Sequence, residues 1–289
     1  MNGIIVIDKP EGWTSHDVVG KLRGLLRERR IGHGGTLDPL ATGVLPVFVG
    51  RATRAAEFCA SAEKEYIAGF RPGLVTDTQD TTGTVISEIK IGLTREVLEA
   101  VLPLFRGAQK QIPPMYSAVK IDGKKLYSIA RKGGEVERAP RDIEIKKLDI
   151  IGQEGGDYLL DVVCSKGTYI RTLCHDIGAR LGCGGAMSSL RRVRAGLFSL
   201  SDAVSLCEVQ KASEEGRADL LLKPVDTLFL ECPALHIGPE EEKKCRCGAP
   251  FDAIAEDGRY RVYGADGRFL MLGDVSQKTV KTVKSFFEV

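Results

Sequence analysis

The amino-acid sequence predicts an α+β fold in which a mixed, mainly antiparallel sheet is followed by a small β-rich module. Strand-like segments are numerous and often alternate between apolar and polar residues, and helical segments separate only some of them. This incomplete interleaving favours a mixed sheet over a regular doubly wound one. The length of 289 residues fits one large domain and one small one, because single hydrophobic cores stop growing in about this range.

The first elements are a predicted buried strand at residues 3–8 and a helix that follows the Lys9-Pro10 turn. Ser15 is the expected N-cap of that helix, and its apolar residues recur at helical spacing on one face. Residues 31–39 are too rich in glycine for a helix or a strand, so we expect a loop that leads into a strand at 43–49.

Further elements follow from the same patterns. We expect strands at 64–71, 84–89, 143–151 and 158–165, and helices at 94–105, 125–132, 168–181 and 202–210. From about residues 230–233 the sequence pattern changes to short strand-like segments separated by repeated Asp-Gly turns. This change places a domain boundary between residues 231 and 232.

Composition and charge bound the function only loosely. The net charge of +2 does not by itself indicate a nucleic-acid partner, but basic residues cluster at 21–30 and at Arg191, Arg192 and Arg194. Each cluster is either a phosphate-binding surface or an ordinary solvated face. The sequence starts without a recognisable signal peptide and contains no apolar run long enough to span a membrane, so we expect a cytoplasmic protein with reduced cysteines.

The loop at 31–39 concentrates four glycines, His33 and Asp38 within nine residues. Glycines let a backbone approach a ligand closely, and Pro39 disfavours the α conformation at Asp38 and so restricts where its carboxylate points. A catalytic carboxylate and a simple capped turn both fit this pattern. The glycine spacing matches neither a phosphate-binding loop nor a dinucleotide-binding motif.

The segment GHGGTLDPLATGVLP at residues 32–46 resembles the signature of the bacterial TruB-type tRNA pseudouridine synthases. Companion segments that resemble this family follow in order: KPEGWTS at 9–15, KEY at 64–66, TDTQD at 76–80, PPMYSAVK at 113–120 and KGTYIR at 166–171. The resemblance implies a pseudouridine synthase catalytic domain at 1–231 with a thumb-like insertion at 113–141. It implies more loosely a PUA-type RNA-binding domain at 232–289.

The activity that this resemblance implies is isomerisation of a uridine, typically uridine 55 in the T loop of tRNA, to pseudouridine. The N1–C1′ bond breaks, the uracil rotates and C5 joins C1′, without any cofactor or metal. The implied partner is tRNA, bound through its T arm and acceptor stem. The sequence gives no sign of an obligate oligomer or protein partner, so we expect a monomer.

The resemblance also assigns roles to individual residues. Asp38 is the implied catalytic carboxylate, which either attacks C1′ or removes the C2′ proton, and Arg171 would keep it ionised. The implied substrate-binding residues are Tyr66, which stacks on the flipped base, Tyr169 as a second pocket tyrosine, His33, which takes the place of the base, and Leu190, which closes the pocket. In the thumb-like insertion, the expected phosphate contacts are Lys124, Lys125, Arg131 and Lys132.

Two alternative functions are compatible with the same fold, and a separate group of residues is a possible metal site. The chain could be a guide-RNA-dependent synthase subunit of the dyskerin type or a non-catalytic RNA-binding protein, although binding alone does not need Asp38. Cys232, His236, Cys245 and Cys247 could bind a metal, but their spacing is not that of a standard zinc knuckle, and we expect no metal.

Overall fold

The structure, a computed structural model, describes residues 1–117, 119–121, 123–130 and 133–287. Its helices are α1 (Ser15–Leu26), α2 (Ala56–Ser61), α3 (Arg95–Val101), α4 (Leu126–Ala130), α5 (Ile170–Leu181), α6 (Leu206–Glu214) and α7 (Pro239–Arg246). Its strands are β1 (Gly3–Lys9), β2 (Ile31–His33), β3 (Thr42–Val49), β4 (Lys64–Pro72), β5 (Leu74–Thr76), β6 (Val85–Glu88), β7 (Gly107–Gln111), β8 (Lys120–Ile121), β9 (Lys124–Lys125), β10 (Arg141–Glu154), β11 (Asp157–Cys164), β12 (Gly185–Ala195), β13 (Phe198–Ser199), β14 (Ala234–His236), β15 (Phe251–Asp252), β16 (Gly258–Tyr263), β17 (Phe269–Ser276) and β18 (Thr279–Ser285).

A large sheet organises the first four-fifths of the chain. Its strand order is β1-β3-β12-β4-β11-β10-β7, with β2 joining β3 and β13 joining β12. Within the described residues, the only parallel pair in this sheet is β12 with β3, and its other pairs are antiparallel. The predicted mixed, mainly antiparallel α+β class is therefore confirmed.

Helices α1, α3 and α5 bury their apolar faces against this sheet. Leu22 of α1, Leu98 of α3 and Leu173 of α5 belong to one apolar core together with residues of the strands. Amphipathic helices gain most of their stability from such packing rather than from intrinsic propensity. None of the described helices is long and apolar enough to cross a membrane.

Strand β12 is the main element that the sequence did not predict. It lies between β3 and β4 in the middle of the sheet, although it contains three arginines and two serines. Bulges interrupt its pairing with β4 between Met187 and Ser189 and between Arg192 and Arg194, which breaks the regular alternation of side chains. Its polar composition is that of an exposed segment, but its three arginines bind groups that are distant in sequence.

Three predicted boundaries are wrong for local reasons. Thr14 rather than Ser15 caps α1, because its hydroxyl accepts from the Asp17 amide in a capping box. Residues 31–33 are not loop but the short strand β2 along β3. The helix predicted at 202–210 begins later, as α6 at Leu206, because Ser205 and Glu208 form a second capping box.

A second, five-stranded sheet occupies the end of the described chain, with strand order β14-β16-β17-β18-β15. Helix α7 closes over it, and Ile237, Cys245 and Val262 are among the residues of its own small core. The opposite side shares an apolar core with the large sheet, in which Phe286 and Phe269 lie against Phe229 of the segment between the two sheets. The β-rich character predicted for this part of the chain is confirmed.

Candidate active site

The loop that carries Asp38 is held from both sides. The Leu37 amide donates to the Ser15 hydroxyl over 2.8 Å, and Ser15, the first residue of α1, is almost fully buried. The Gly12 amide donates to the Pro39 carbonyl over 2.8 Å, and the Ala41 amide donates to the Asp38 carbonyl over 3.0 Å. The backbone around Asp38 is therefore anchored to the start of α1 and to the turn that precedes it.

Arg171 and Asp38 form an ion pair. Arg171 lies in the first turn of α5, its Nε is 3.0 Å from Asp38 Oδ2, and its side chain is 6% exposed. The other nitrogens donate to main-chain carbonyls, Nη2 to Tyr116 over 2.8 Å and Nη1 to Thr78 over 3.2 Å. The sequence-based pairing of Asp38 with Arg171 thus corresponds to a direct contact in the fold.

A second carboxylate, Asp80, approaches the same guanidinium, and sequence reasoning did not select it. Its Oδ2 lies 3.6 Å from Arg171 Nη1. Its Oδ1 accepts from the Thr78 hydroxyl over 2.8 Å and from the Thr82 amide and hydroxyl over 3.0 and 2.6 Å. The available signal was the TDTQD segment, whose two acids and two threonines are a pattern typical of a tight polar turn.

Lys9 was also missed as a functional candidate. Its side chain is fully buried, and Nζ donates to the carbonyls of Pro10, Trp13 and Pro39 over 2.8, 2.6 and 3.3 Å. Burial lowers the pKa of Lys9 to about 8, and the charge of Asp38 opposes this shift. Lys9 is therefore a second cation beside the loop, and it ties the turn at Pro10–Trp13 to the Asp38 loop at Pro39.

The ionisation of Asp38 is balanced between opposing effects. Burial raises the pKa of Asp38 above its ordinary value of 3.8, and the Arg171 charge opposes this rise most strongly. The charge of Asp80 adds to the rise, whereas that of Lys9 opposes it. The Asp38 side chain stays 38% exposed, so the residue is not closed off from the surface while Arg171 holds its carboxylate.

Tyr66 and Leu190 lie on the neighbouring central strands β4 and β12. Both are 8% exposed. Tyr66 is paired with Arg192, and Leu190 with Ala68. Burial raises the pKa of Tyr66, the Arg192 charge opposes that rise, and Asp38 is close enough to add to it. The phenol and the Asp38 carboxylate therefore belong to one electrostatic environment.

Tyr169 immediately precedes α5 and is positioned through its backbone. Its amide donates to Gln111 Oε1 over 2.8 Å, and Gln111 Nε2 donates to its carbonyl over 3.0 Å. Gln111 is the buried last residue of β7, at the point where the chain enters residues 113–141. The half-buried Tyr169 is thus linked to the base of that segment.

His33 ends strand β2 and faces His16 of α1. The two rings meet edge to face with centroids 5.5 Å apart, and the Gly35 amide donates to His33 Nδ1 over 3.4 Å. Burial lowers the pKa of His33 to about 4, with further lowering by the charges of His16 and Arg192. The imidazole is therefore neutral throughout the physiological range.

The arginine cluster of β12 is not the free basic patch that the sequence suggested. Arg191 pairs with Asp8 over 2.8 Å, and Arg194 pairs with Glu63 and Glu65 over 2.8 and 2.9 Å. Arg192 points inward and is 1% exposed. The acids come from β1 and from the start of β4, so no local pattern in the sequence could reveal them.

Two further groups of candidates remain, the basic residues of the thumb-like insertion and the cysteine and histidine residues considered as a metal site. Lys124 and Lys125 form the second strand of a small hairpin with β8, while Arg131 and Lys132 lie outside the described residues. Cys245 is buried with Sγ 3.5 Å from Met271 Sδ, and the His236 ring stacks on Tyr263. Within the described ranges, no three His, Cys, Asp or Glu side chains are grouped as a metal site would require.

Comparison with known proteins shows which family the sequence matches. A family model described as TruB family pseudouridylate synthase (N terminal domain) matches residues 23–170, and one described as tRNA pseudouridylate synthase B C-terminal domain matches residues 171–230. The chain is 44% identical over 282 residues to the tRNA pseudouridine synthase B of Stutzerimonas stutzeri, covering 96% of this chain and 92% of that protein. It is 40% identical over 293 residues to the protein of the same name from Clostridium kluyveri, covering 99% and 100%.

Among solved structures, similarity extends over almost the whole chain. A chain of a Cbf5–Nop10–Gar1 complex matches with a TM-score of 0.71 and 25% identity, covering 99% of this chain and 85% of that one. A chain of an H/ACA RNP bound to a substrate RNA containing 2′-deoxyuridine matches with a TM-score of 0.73 and 24% identity, covering the same shares. The second similarity concerns the fold alone.

Proposed function

Because the chain belongs to the TruB family of pseudouridylate synthases, we propose that it isomerises uridine 55 in the T loop of tRNA to pseudouridine. The observation that carries the proposal is the contact between Asp38 and Arg171, next to the buried phenol of Tyr66. An accessible carboxylate with a fixed cationic partner suits a reaction that begins with an ionised acid.

The chemistry requires a carboxylate at the sugar and a platform for the base. The N1–C1′ bond breaks, uracil turns within the pocket, and C5 forms the new bond to C1′ while the C5 proton leaves and N1 gains one. Asp38 acts at C1′ as a nucleophile or at C2′ as a base, and both routes require its ionised form. All heavy atoms of the product come from the substrate and only a proton is exchanged with solvent, so the reaction itself consumes no cofactor.

Flipping the uridine out of its stack costs a few kcal/mol, which the pocket has to offset. Stacking on an aromatic ring contributes about 1–3 kcal/mol per base, and we assign this role to Tyr66. Tyr169 contributes a second ring, Leu190 closes the apolar side, and neutral His33 occupies the position that the base leaves. These assignments follow from the family resemblance of the motifs that carry the four side chains.

The remaining surfaces are proposed to bind the rest of the tRNA. Residues 1–231 would form the catalytic domain with a thumb-like insertion at 113–141, and 232–289 a PUA-type module against the acceptor stem. In the described part of the chain, the exposed Lys21, Arg27, Arg29 and Arg30 at the end of α1 enter no ion pair, as suits phosphate contacts. We propose a monomer that acts on tRNA in the cytoplasm.

A bare T-arm stem-loop tests the proposal. The purified protein should release tritium from an RNA that carries 5-tritiated uridine at position 55, with no guide RNA or protein partner added. The matched control RNA has cytidine at position 55 and 5-tritiated uridine at its other uridine positions. It should release no tritium. Absence of turnover on the first RNA would overturn the proposal.

The second candidate, a guide-RNA-dependent subunit, is favoured by the similarity to the chain of a Cbf5–Nop10–Gar1 complex. Turnover of the bare stem-loop excludes it. The two routes for Asp38 are separated by deuterium at C2′ of the target uridine. A primary isotope effect on the single-turnover rate identifies proton removal, and deuterium retained at C2′ in the absence of an effect favours attack at C1′.

A further inference from the structure

Arg192 is a buried arginine that makes no ion pair within the described residues. It is 1% exposed and is among the largest fully buried side chains of the protein. Its neighbours Arg191 and Arg194 both pair with carboxylates, whereas Arg192 is solvated by main-chain carbonyls. Burying a charge without a counter-ion is unfavourable, so an apolar side chain would serve stability at least as well at this position.

The three guanidinium nitrogens bind the backbone before and after Asp38, in its loop and in the strand that follows. Nε donates to the Val44 carbonyl over 2.7 Å, Nη2 to Gly35 over 3.1 Å and Nη1 to Thr36 over 3.5 Å. Gly35 and Thr36 precede Asp38 by three and two residues, and Val44 follows on β3. The planar arginine fork thus fixes the backbone on both sides of the carboxylate.

The backbone of Arg192 connects the same loop to the base platform. On one side Arg192 is paired with Tyr66 of β4, and on the other with Gly43 of β3. Gly43 has φ +99°, and a Cβ there would lie 2.2 Å from the Arg192 carbonyl oxygen, so only glycine allows this approach. Arg192 therefore contacts both the Asp38 loop, through its side chain, and the strand that carries Tyr66, through its backbone.

We propose that Arg192 is a positioning residue of the isomerisation, which holds the Asp38 loop at a fixed distance from the Tyr66 platform and does not contact the substrate. This inference rests on the proposed function and extends it. Reactions between groups held in near-attack geometry are sensitive to displacement, and a shift of about 1 Å can cost about 100-fold in rate. Binding of the RNA depends on other surfaces and should not change.

The test compares Arg192→Lys and Arg192→Gln with the wild type, and it measures the single-turnover rate and the affinity for RNA separately. Both variants lose the fork, and Gln also removes the unpaired buried charge, which should help it to fold. We expect the saturating single-turnover rate of tritium release from the T-arm RNA to fall about 100-fold in both. The dissociation constant of the RNA, from filter binding, and the thermal unfolding midpoint should stay near those of the wild type.

Arg194→Gln is the matched control, since it removes an arginine of the same strand that pairs with Glu63 and Glu65 at the surface. It should leave rate and affinity unchanged. Wild-type rates in both Arg192 variants would overturn the inference, and so would variants that fail to fold or that lose affinity and rate together. A wild-type enzyme without turnover would instead overturn the proposed function, so the two failures are distinguishable.

Discussion

Arg171 Nε lies 3.0 Å from Asp38 Oδ2, while the rest of the guanidinium is bound by the carbonyls of Thr78 and Tyr116. The arginine is therefore fixed by two other segments of the chain before it meets the carboxylate. This arrangement means that the orientation of Asp38 depends on the turn at 76–80 and on the start of the segment at 113–141. Only the planar fork of an arginine can make these three contacts at once.

Replacing the carboxylate should remove the chemistry and leave binding. Asp38→Asn has nearly the same size, but an amide can neither attack C1′ nor accept the C2′ proton. We expect no tritium release above background from the T-arm RNA, with a dissociation constant close to that of the wild type. Turnover at the wild-type rate would contradict the assignment of Asp38.

Arg171→Lys should lose most of the activity, because a point charge replaces a fork. An ammonium group at this position cannot pair with Asp38 and also donate to the carbonyls of both Thr78 and Tyr116 with the same geometry. The single-turnover rate reports the loss. Arg95→Lys, on the exposed pair with Glu99, is the control and should behave as the wild type. Equal rates in the two variants would show that the fork is dispensable.

The rate of the wild-type enzyme should fall in acid as Asp38 becomes protonated. Because burial raises the pKa of Asp38, the midpoint of this acid limb should lie above pH 3.8. Removing the cation that opposes the rise, in Arg171→Gln, should move the midpoint to still higher pH. The measurement is the single-turnover rate against pH, and a midpoint that moves to lower pH in the variant would show that the charge of Arg171 does not act on Asp38.

His33→Ala should slow the reaction much less than Asp38→Asn, since His33 assists base flipping and not bond breaking. The pKa of His33 is lowered to about 4, so its ring stays neutral above about pH 5. The ratio of wild-type to variant rates should therefore be constant from about pH 5.5 to 8. An inactive variant, or a ratio that changes near pH 6.5, would be inconsistent with these roles.

Phe229 should contribute strongly to stability, because it connects the two sheets. Its ring lies 5.1 Å from that of Phe58 and 6.0 Å from that of Phe286, and it is 4% exposed. Phe229→Ala should lower the free energy of unfolding by about 3–5 kcal/mol, measured by urea denaturation. The neighbouring Leu230 is 63% exposed, so Leu230→Ala should have little effect, and equal losses would refute the connection.

The sequence by itself determined the elements whose signals are local. The apolar spacing of α1 and α5, the alternation in β4 and β11, and the Gly-rich segment around Asp38 each lie within about fifteen residues. Such patterns record which face of an element is buried. Asp38 and Arg171 each lie in a short motif of this kind, and the resemblance of those motifs to a known family identified both residues as site candidates.

Only the tertiary structure decided which distant groups meet. Strand β12 has the polar composition of an exposed segment, yet it lies at the centre of the sheet because Asp8, Glu63 and Glu65 satisfy its outer arginines. In the same way, Lys9 joins the Asp38 environment through the Pro39 carbonyl, and Asp80 joins it through the Arg171 guanidinium, each remote in sequence. Hydrophobic periodicity indicates which residues are buried. It does not indicate which group will pair with a buried charge, because that partner is brought close only when the whole chain folds.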